Sequence, residues 1–271
     1  MVAVTRLSNQ GNFYLNGTMD ETSNIPQVTD SLQLYWDAGI PESYPGYGTT
    51  VYDLSPNKFN GILTINYNGV SPPVFSPLNN NSFWFAGNMP GASSTSAPGG
   101  WQYGSINFAN ATPNSLKIYQ KDFTISSWAL CQNPLLLQPD GSLCSFNGSA
   151  VAGGQYSLSW FAGYFISGMY GNANYSYYDT GYVWKNYVNT YTYNGSNSVS
   201  RVYVNGSLVY TQTNIGYMTS SIQNSPFIVG DSSFGGGFLQ GYIANTMVYN
   251  RVLSNTEVSN NYNATRKRFG V

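Results

Sequence analysis

The chain has 271 residues, of which 42% are hydrophobic, enough to fill the core of one large all-β domain. Only 8% are charged, against about 25% in ordinary soluble domains, and the net charge of −1 excludes an electrostatic case for nucleic acid. There is no histidine, which excludes Ser–His and Cys–His nucleophiles and removes zinc's usual second ligand type.

Asn, Ser, Thr, Gly and Tyr stand where Lys and Glu usually do. Such a neutral, hydrogen-bonding surface is similar to a paratope or a sugar-facing surface. A surface that packs against copies of itself reads equally well. No apolar run approaches the ~18 residues of a membrane span, so no membrane insertion is expected. The first residues, MVAVTRLSNQGNFYLNG, carry one Arg and no apolar stretch, and are not expected to be a signal peptide.

Residues 1–30 read as an N-terminal arm, with a short strand around Gly11–Leu15. Leu32, Leu34 and Trp36 alternate with Gln33, Tyr35 and Asp37, which predicts a half-buried strand and opens a domain over 31–271. Residues 66–115 are a Pro-, Gly-, Ser- and Asn-rich excursion with one convincing strand, Ser82–Ala86. An excursion of that length is usually a binding or assembly element.

From 117 onward the strands become regular. FTISSWAL (123–130) sets Phe123, Ile125 and Ser127 opposite Thr124, Ser126 and Trp128, and YVNTYTY (187–193) sets its tyrosines opposite Val188, Thr190 and Thr192. Trp36, Trp128 and Trp160 stand in strands and read as core. Cys131 and Cys144 flank Pro139-Asp140-Gly141, which reads as a turn. The pair faces each other across a hairpin in that reading, and two buried thiols are preferred to a disulfide.

In RVYVNGSLVY (201–210), Asn205-Gly206 supplies a type I′ turn that sets Val204 against Ser207, Tyr203 against Leu208 and Val202 against Val209. The helix expected at the end has Ser254 as N-cap, Glu257 completing a capping box, Leu253 and Val258 as a staple, and a stripe of Val258, Tyr262 and Thr265. Arg266, Lys267 and Arg268 read as cations that complement its C-terminus, with an anchoring or docking role as the alternative.

Taken in order, FTISSWAL, Tyr203-Val204-Asn205-Gly206, Gly241-Tyr242-Ile243, Tyr249-Asn250-Arg251 and Leu253-Ser254 with Glu257 resemble the laminin-G-like, concanavalin-A-like jelly roll. The segment 32–63 is similar to the opening of a subset common in phage and other virus structural proteins and in some bacterial surface proteins. The resemblance implies an antiparallel β-sandwich with an N-terminal arm and a short C-terminal helix. It departs from the family at Ala244 and Asn245, where an acidic pair is often found, and this puts any role tied to those acids in doubt.

No catalytic residues are expected. Retaining glycosidases need two carboxylates ~5 Å apart, and the one close acidic pair, Asp20-Glu21, points to opposite sides of an extended chain. No cofactor is expected. Calcium, with Asp231 as a weak metal candidate, ranks low because no acids cluster in the matched region. The loop aromatics Trp101, Tyr103, Tyr177, Tyr178 and Trp184 are the candidate ligand-binding residues, since ring faces stack on sugar CH groups.

The leading expectation is a virion structural protein, a capsid decoration or fibre component, whose partners are other virion proteins, copies of itself and glycans. A carbohydrate-binding module or adhesin, extracellular or on a cell surface, is the alternative. A glycoside hydrolase ranks last.

Overall fold

The computed structural model describes residues 4–6, 13–15, 18–19, 26–65, 72–86, 104–132, 139–148, 152–161, 163–169, 174–179, 182–232 and 237–271. In the arm, β1 (Val4–Arg6), β2 (Phe13–Leu15) and β3 (Thr18–Met19) form a small antiparallel sheet. The sandwich then runs through β4 (Leu32–Asp37), β5 (Thr50–Val51), β6 (Gly61–Ile65), β7 (Val74–Ser76), β8 (Ser82–Ala86) and β9 (Gly104–Phe108). It continues through β10 (Phe123–Cys131), β11 (Pro139–Asn147), β12 (Gln155–Phe161), β13 (Tyr164–Met169), β14 (Asn174–Tyr178) and β15 (Lys185–Thr192). It ends with β16 (Val199–Val204), β17 (Ser207–Thr213), β18 (Phe227–Val229), β19 (Asp231–Ser232), β20 (Gly237–Phe238), β21 (Gln240–Tyr249) and the helix α1 (Asn255–Thr265).

Two large antiparallel sheets result. The first has the order β17-β16-β15-β10-β21-β8-β7, with β4 also paired to β21, and the second β14-β13-β12-β11-β18-β9-β6-β5. Residues of period two face inward from both sheets. Phe123, Ile125, Tyr187 and Tyr191 from the first meet Phe108, Phe146, Tyr156 and Trp160 from the second in one continuous core. The expected excursion over 66–115 holds two strands that the sequence did not reveal, β7 and β9.

Local chemistry explains the elements. Asn205 and Gly206 take φ of 50° and 77°, as a type I′ turn requires, and Val204 meets Ser207 and Tyr203 meets Leu208. The third expected pair is corrected: a bulge places Val202 opposite Tyr210 and leaves Val209 over. Ser254 accepts from the Glu257 N–H while Glu257 accepts from the Ser254 N–H, so the capping box is present.

The buried face of α1 is wider and more polar than an apolar stripe. Asn261 accepts from the Val28 N–H at 2.9 Å, and Thr265 accepts from Trp128 Nε1 at 2.8 Å.

The middle of the first sheet is buried on both faces, so β4 is fully rather than half buried. Leu34 and Trp36 enter the main core, whereas Leu32 and Tyr35 join Tyr203, Met247, Tyr249, Leu253 and Val258 beneath the helix. A bulge opposite Val248 and Tyr249 explains why Leu32 departs from the face of Leu34. The staple pair Leu253 and Val258 lies in this second cluster. A third cluster stacks Trp128 on Phe269 at 4.1 Å, with Trp184 and Ala244 beside them.

Cys131 and Cys144 belong to strands of opposite sheets, so they do not oppose each other across a hairpin, and Pro139-Asp140-Gly141 lies in β11. Both are buried and not joined by a disulfide, and burial pushes the Cys144 thiol up.

The basic run after α1 is also corrected. Residues Arg266–Phe269 form a 3₁₀ turn, and Arg268 folds back into the protein rather than capping a helix end. Its Nη1 donates to Asp37 Oδ1 at 2.6 Å, and Nε and Nη2 donate to the carbonyls of Asn80 and Asn81. The two side chains are 8% and 0% exposed. Asn80 and Asn81 have φ of 57° and 47°, a left-handed pair. A Cβ on Gly39 would stand 2.6 Å from the guanidinium carbon, so this close approach requires glycine. Removing one partner of a buried pair leaves an uncompensated charge, which costs about 3–5 kcal/mol. Chemical denaturation of Arg268→Ala is expected to show that loss, while Arg266→Ala at the exposed neighbouring position stays within about 0.5 kcal/mol.

Candidate functional site

The aromatic candidates separate into three groups. Trp101 and Tyr103 lie outside the described residues. Trp184 is buried, 8% exposed, with its ring 4.9 Å from Phe269 and 6.3 Å from Tyr242, so it packs the C-terminal 3₁₀ turn onto the first sheet. Its place in a loop hid this from sequence reasoning, because its packing partners come from β21 and the C-terminus.

Tyr177 and Tyr178 are neighbours on β14, the edge strand of the second sheet, and strand alternation sends them to opposite faces. Tyr177, opposite Phe165, is partly buried against the main core, with Lys185 Nζ 6.0 Å from its ring centre. Tyr178, opposite Tyr164, faces outward and is 55% exposed. The Tyr164 and Tyr178 rings meet edge to face at 5.4 Å and 73°, an arrangement favoured by the aromatic quadrupole. Tyr182 and Val183, also exposed, follow in the next loop, where Tyr182 takes a φ of 63° and donates its N–H to the Cys131 carbonyl. Sequence reading missed Tyr164, Tyr182 and Val183. The signal for Tyr164 is cross-strand register, which appears only once β13 is paired with β14.

A buried anchor holds this rim. Asp179 is fully buried, accepts from Trp160 Nε1 at 3.0 Å, and also bonds the Tyr187 hydroxyl and Lys185 Nζ. Its N–H donates to the Gly163 carbonyl at 2.7 Å, tying the end of β14 to the start of β13. Tyr187 stays a neutral donor, since burial, followed by Asp179, pushes its phenol well above the ordinary range.

Several other acids are committed to the fold. Asp53 accepts from the N–H groups of Tyr35, Ser55 and Phe59. Asp122 accepts from the Tyr193 N–H. Glu257 is held at about 2, first by its hydrogen bond to Arg251. Asp231 is buried beside β11, and its carbonyl accepts from Ser145 Oγ. Among the described residues, no three His, Cys, Asp or Glu side chains gather as a metal site would need. At the positions of the family's acidic pair, Ala244 is packed against Trp128, and Asn245 bonds the Trp128 N–H and Asp37.

With both sheets and the rim in place, the sequence can be compared with known proteins. A profile of the concanavalin A-like lectin/glucanases superfamily, of the laminin G type, matches residues 98–259. The chain belongs to this family. No curated protein matches it significantly in sequence. Among solved structures, it is similar to the botulinum neurotoxin serotype D/C binding domain, with 15% identity, a TM-score of 0.58, and coverage of 88% of this chain and 53% of that one. It is also similar to the neurotoxin DC binding domain solved in complex with SialylT (15% identity, TM-score 0.56, coverage 88% and 52%). The same domain in complex with rat synaptotagmin II matches at 14% identity and a TM-score of 0.56, over 88% and 52%. The chain thus spans about half the length of these domains, and at such identity the likeness is one of fold.

The rim and the buried indole respond differently to truncation. Trp184→Ala is expected to cost about 3–5 kcal/mol in urea denaturation, as large core truncations do, while Tyr178→Ala stays within about 0.5 kcal/mol.

Proposed function

We propose that this protein is a non-catalytic, lectin-like binding module that contacts glycans, and through them other surfaces, with the tyrosine rim of Tyr164 and Tyr178. The observation that carries this reading is the rim itself: large amphipathic rings held out to solvent beside a buried aspartate, on a chain of which only 8% is charged. Tyrosines supply wide contact area at low entropic cost and offer both a ring face and a hydroxyl.

The absence of catalysis belongs to the same proposal. Hydrolysis of a glycoside needs one carboxyl kept protonated near neutral pH and a second placed across the bond. Asp37 and Asp179 are paired with cations, Asp53 is occupied by backbone N–H groups, and Glu257 is pushed down rather than up. The neurotoxin domains named for a sialylated ligand and for a protein receptor support a fold suited to binding either class of partner.

For the setting, the resemblance of 32–63 to virus structural proteins and the low charge support a virion surface component, in which many weak contacts add. A cell-surface adhesin is the second reading, favoured by the same rim. A glycan array probed with multimerised protein is expected to give signals that fall at least about tenfold in Tyr164→Ala/Tyr178→Ala. Signals that are absent for the native protein, or unchanged in the double variant, overturn the rim as the binding surface.

A further inference from the structure

A second concavity lies well apart in sequence from the rim. The chain entering β4, residues 27–33, runs beside Pro56 and the start of α1, and between them opens a cleft of about 710 Å³. Small-ligand sites fall in the range of roughly 300–1,000 Å³.

Its wall is rigid. The Val28 N–H donates to Asn261 Oδ1 at 2.9 Å, and the Val28 carbonyl accepts from the Tyr249 hydroxyl at 3.0 Å. Arg251 gives both terminal nitrogens to Glu257 at 3.0 and 2.6 Å and its Nε to Asp30 Oδ2 at 3.1 Å.

That arrangement decides what the cleft accepts. The guanidinium is already shared by two carboxylates, so the site carries a net charge of about −1 and has no free cation for an anionic ligand. Arg251 in the same wall opposes a second cation. What remains open among the described residues is neutral hydrogen-bonding capacity beside one carboxylate oxygen. Asp30 has a side chain 80% exposed and accepts from Ser31 Oγ and Arg251 Nε on Oδ2, and Asn260 and Thr29 are exposed in the lining. Val28 and Pro56 add apolar surface of the kind that sugar CH groups cover.

We infer that this cleft is a binding site for a neutral, hydroxyl-rich ligand, a mono- or disaccharide, with Asp30 accepting from paired hydroxyls and Asn260 completing the contact. It is a site separate from the tyrosine rim and rests on the same reading, that the sandwich binds glycans rather than cutting them. With no aromatic platform in the lining, the affinity is set by hydrogen bonds and lies on the order of 1 mM.

The test uses the full ¹⁵N-labelled chain titrated separately with D-glucose, D-galactose, D-mannose and N-acetylglucosamine to about 50 mM, well above the expected dissociation constant. Saturable shifts confined to the amides of 27–33 and 251–260 are expected for at least one sugar. Affinity is expected to fall about tenfold or more in Asp30→Asn and in Asn260→Ala, and to be unchanged in Tyr178→Ala. Asp30→Asn keeps the Arg251–Glu257 pair, so its thermal unfolding is expected to stay near that of the native protein. No shift at these amides with any of the four sugars overturns the inference, as does undiminished binding by both variants. Shifts confined to the Tyr164–Tyr178 edge overturn it while leaving the rim reading intact, and a silent cleft with a working rim on the array has the same meaning.

Discussion

The ion pair between Asp37 and Arg268 is the point where four parts of the chain are held at once. Asp37 ends β4, Arg268 belongs to the last residues, the carbonyls of Asn80 and Asn81 lead into β8, and Asn245, which donates to Asp37 at 3.1 Å, lies on β21. Between Ile243 and Asn245 the register of β21 against β10 slips, leaving Ala244 over, and β21 passes from pairing with β8 over Gln240–Ile243 to pairing with β4 over Asn245–Tyr249. One strand thereby serves two partners on the same side. A bulge makes the handover possible, and a buried cation joins the ends that meet there.

The double covering of the first sheet follows from that geometry. Its inner face meets the second sheet. Its outer face is roofed by α1, the 3₁₀ turn and the chain entering β4, so Trp128 can stack on Phe269 and still find Thr265 for its indole N–H. Polar atoms under the roof need partners, and most have them, because a buried unpaired donor or acceptor costs about 1–3 kcal/mol. Tyr35 shows the consequence: burial, then Asp37, pushes its phenol well above the ordinary range, so it remains a donor to Asp37. With one sheet roofed in this way, the edge tyrosines of the second sheet and the cleft beside α1 are the surfaces on which binding is proposed.

The sheets were legible where the chain alternates and turns in short range. The hairpin at Asn205-Gly206, the capped helix at Ser254 and the inward faces of β10 and β15 rest on contacts between near neighbours, and period and capping chemistry reveal them. The strands β7 and β9 were not legible, because short strands in Pro- and Gly-rich sequence are stabilised by partners far along the chain. The role of Arg268 was hidden for the same reason: nothing within ten residues of it names Asp37. For the rim, composition singled out Tyr178 as a loop-like aromatic; the structure places it on β14, and only register joins it to Tyr164. Trp184 looked the same in sequence and lies inside, since its covering residues come from the C-terminus.

A double-mutant cycle on Asp37 and Arg268 tests the central claim most directly. Asp37→Asn, Arg268→Met and the double variant would each be unfolded in urea against the native protein. The account predicts that the double variant is more stable than the sum of the single losses implies, with a coupling energy of about 2–3 kcal/mol. Single losses that add to within about 0.5 kcal/mol would contradict it and would mean that the two charges are neighbours without holding the C-terminal turn to β4.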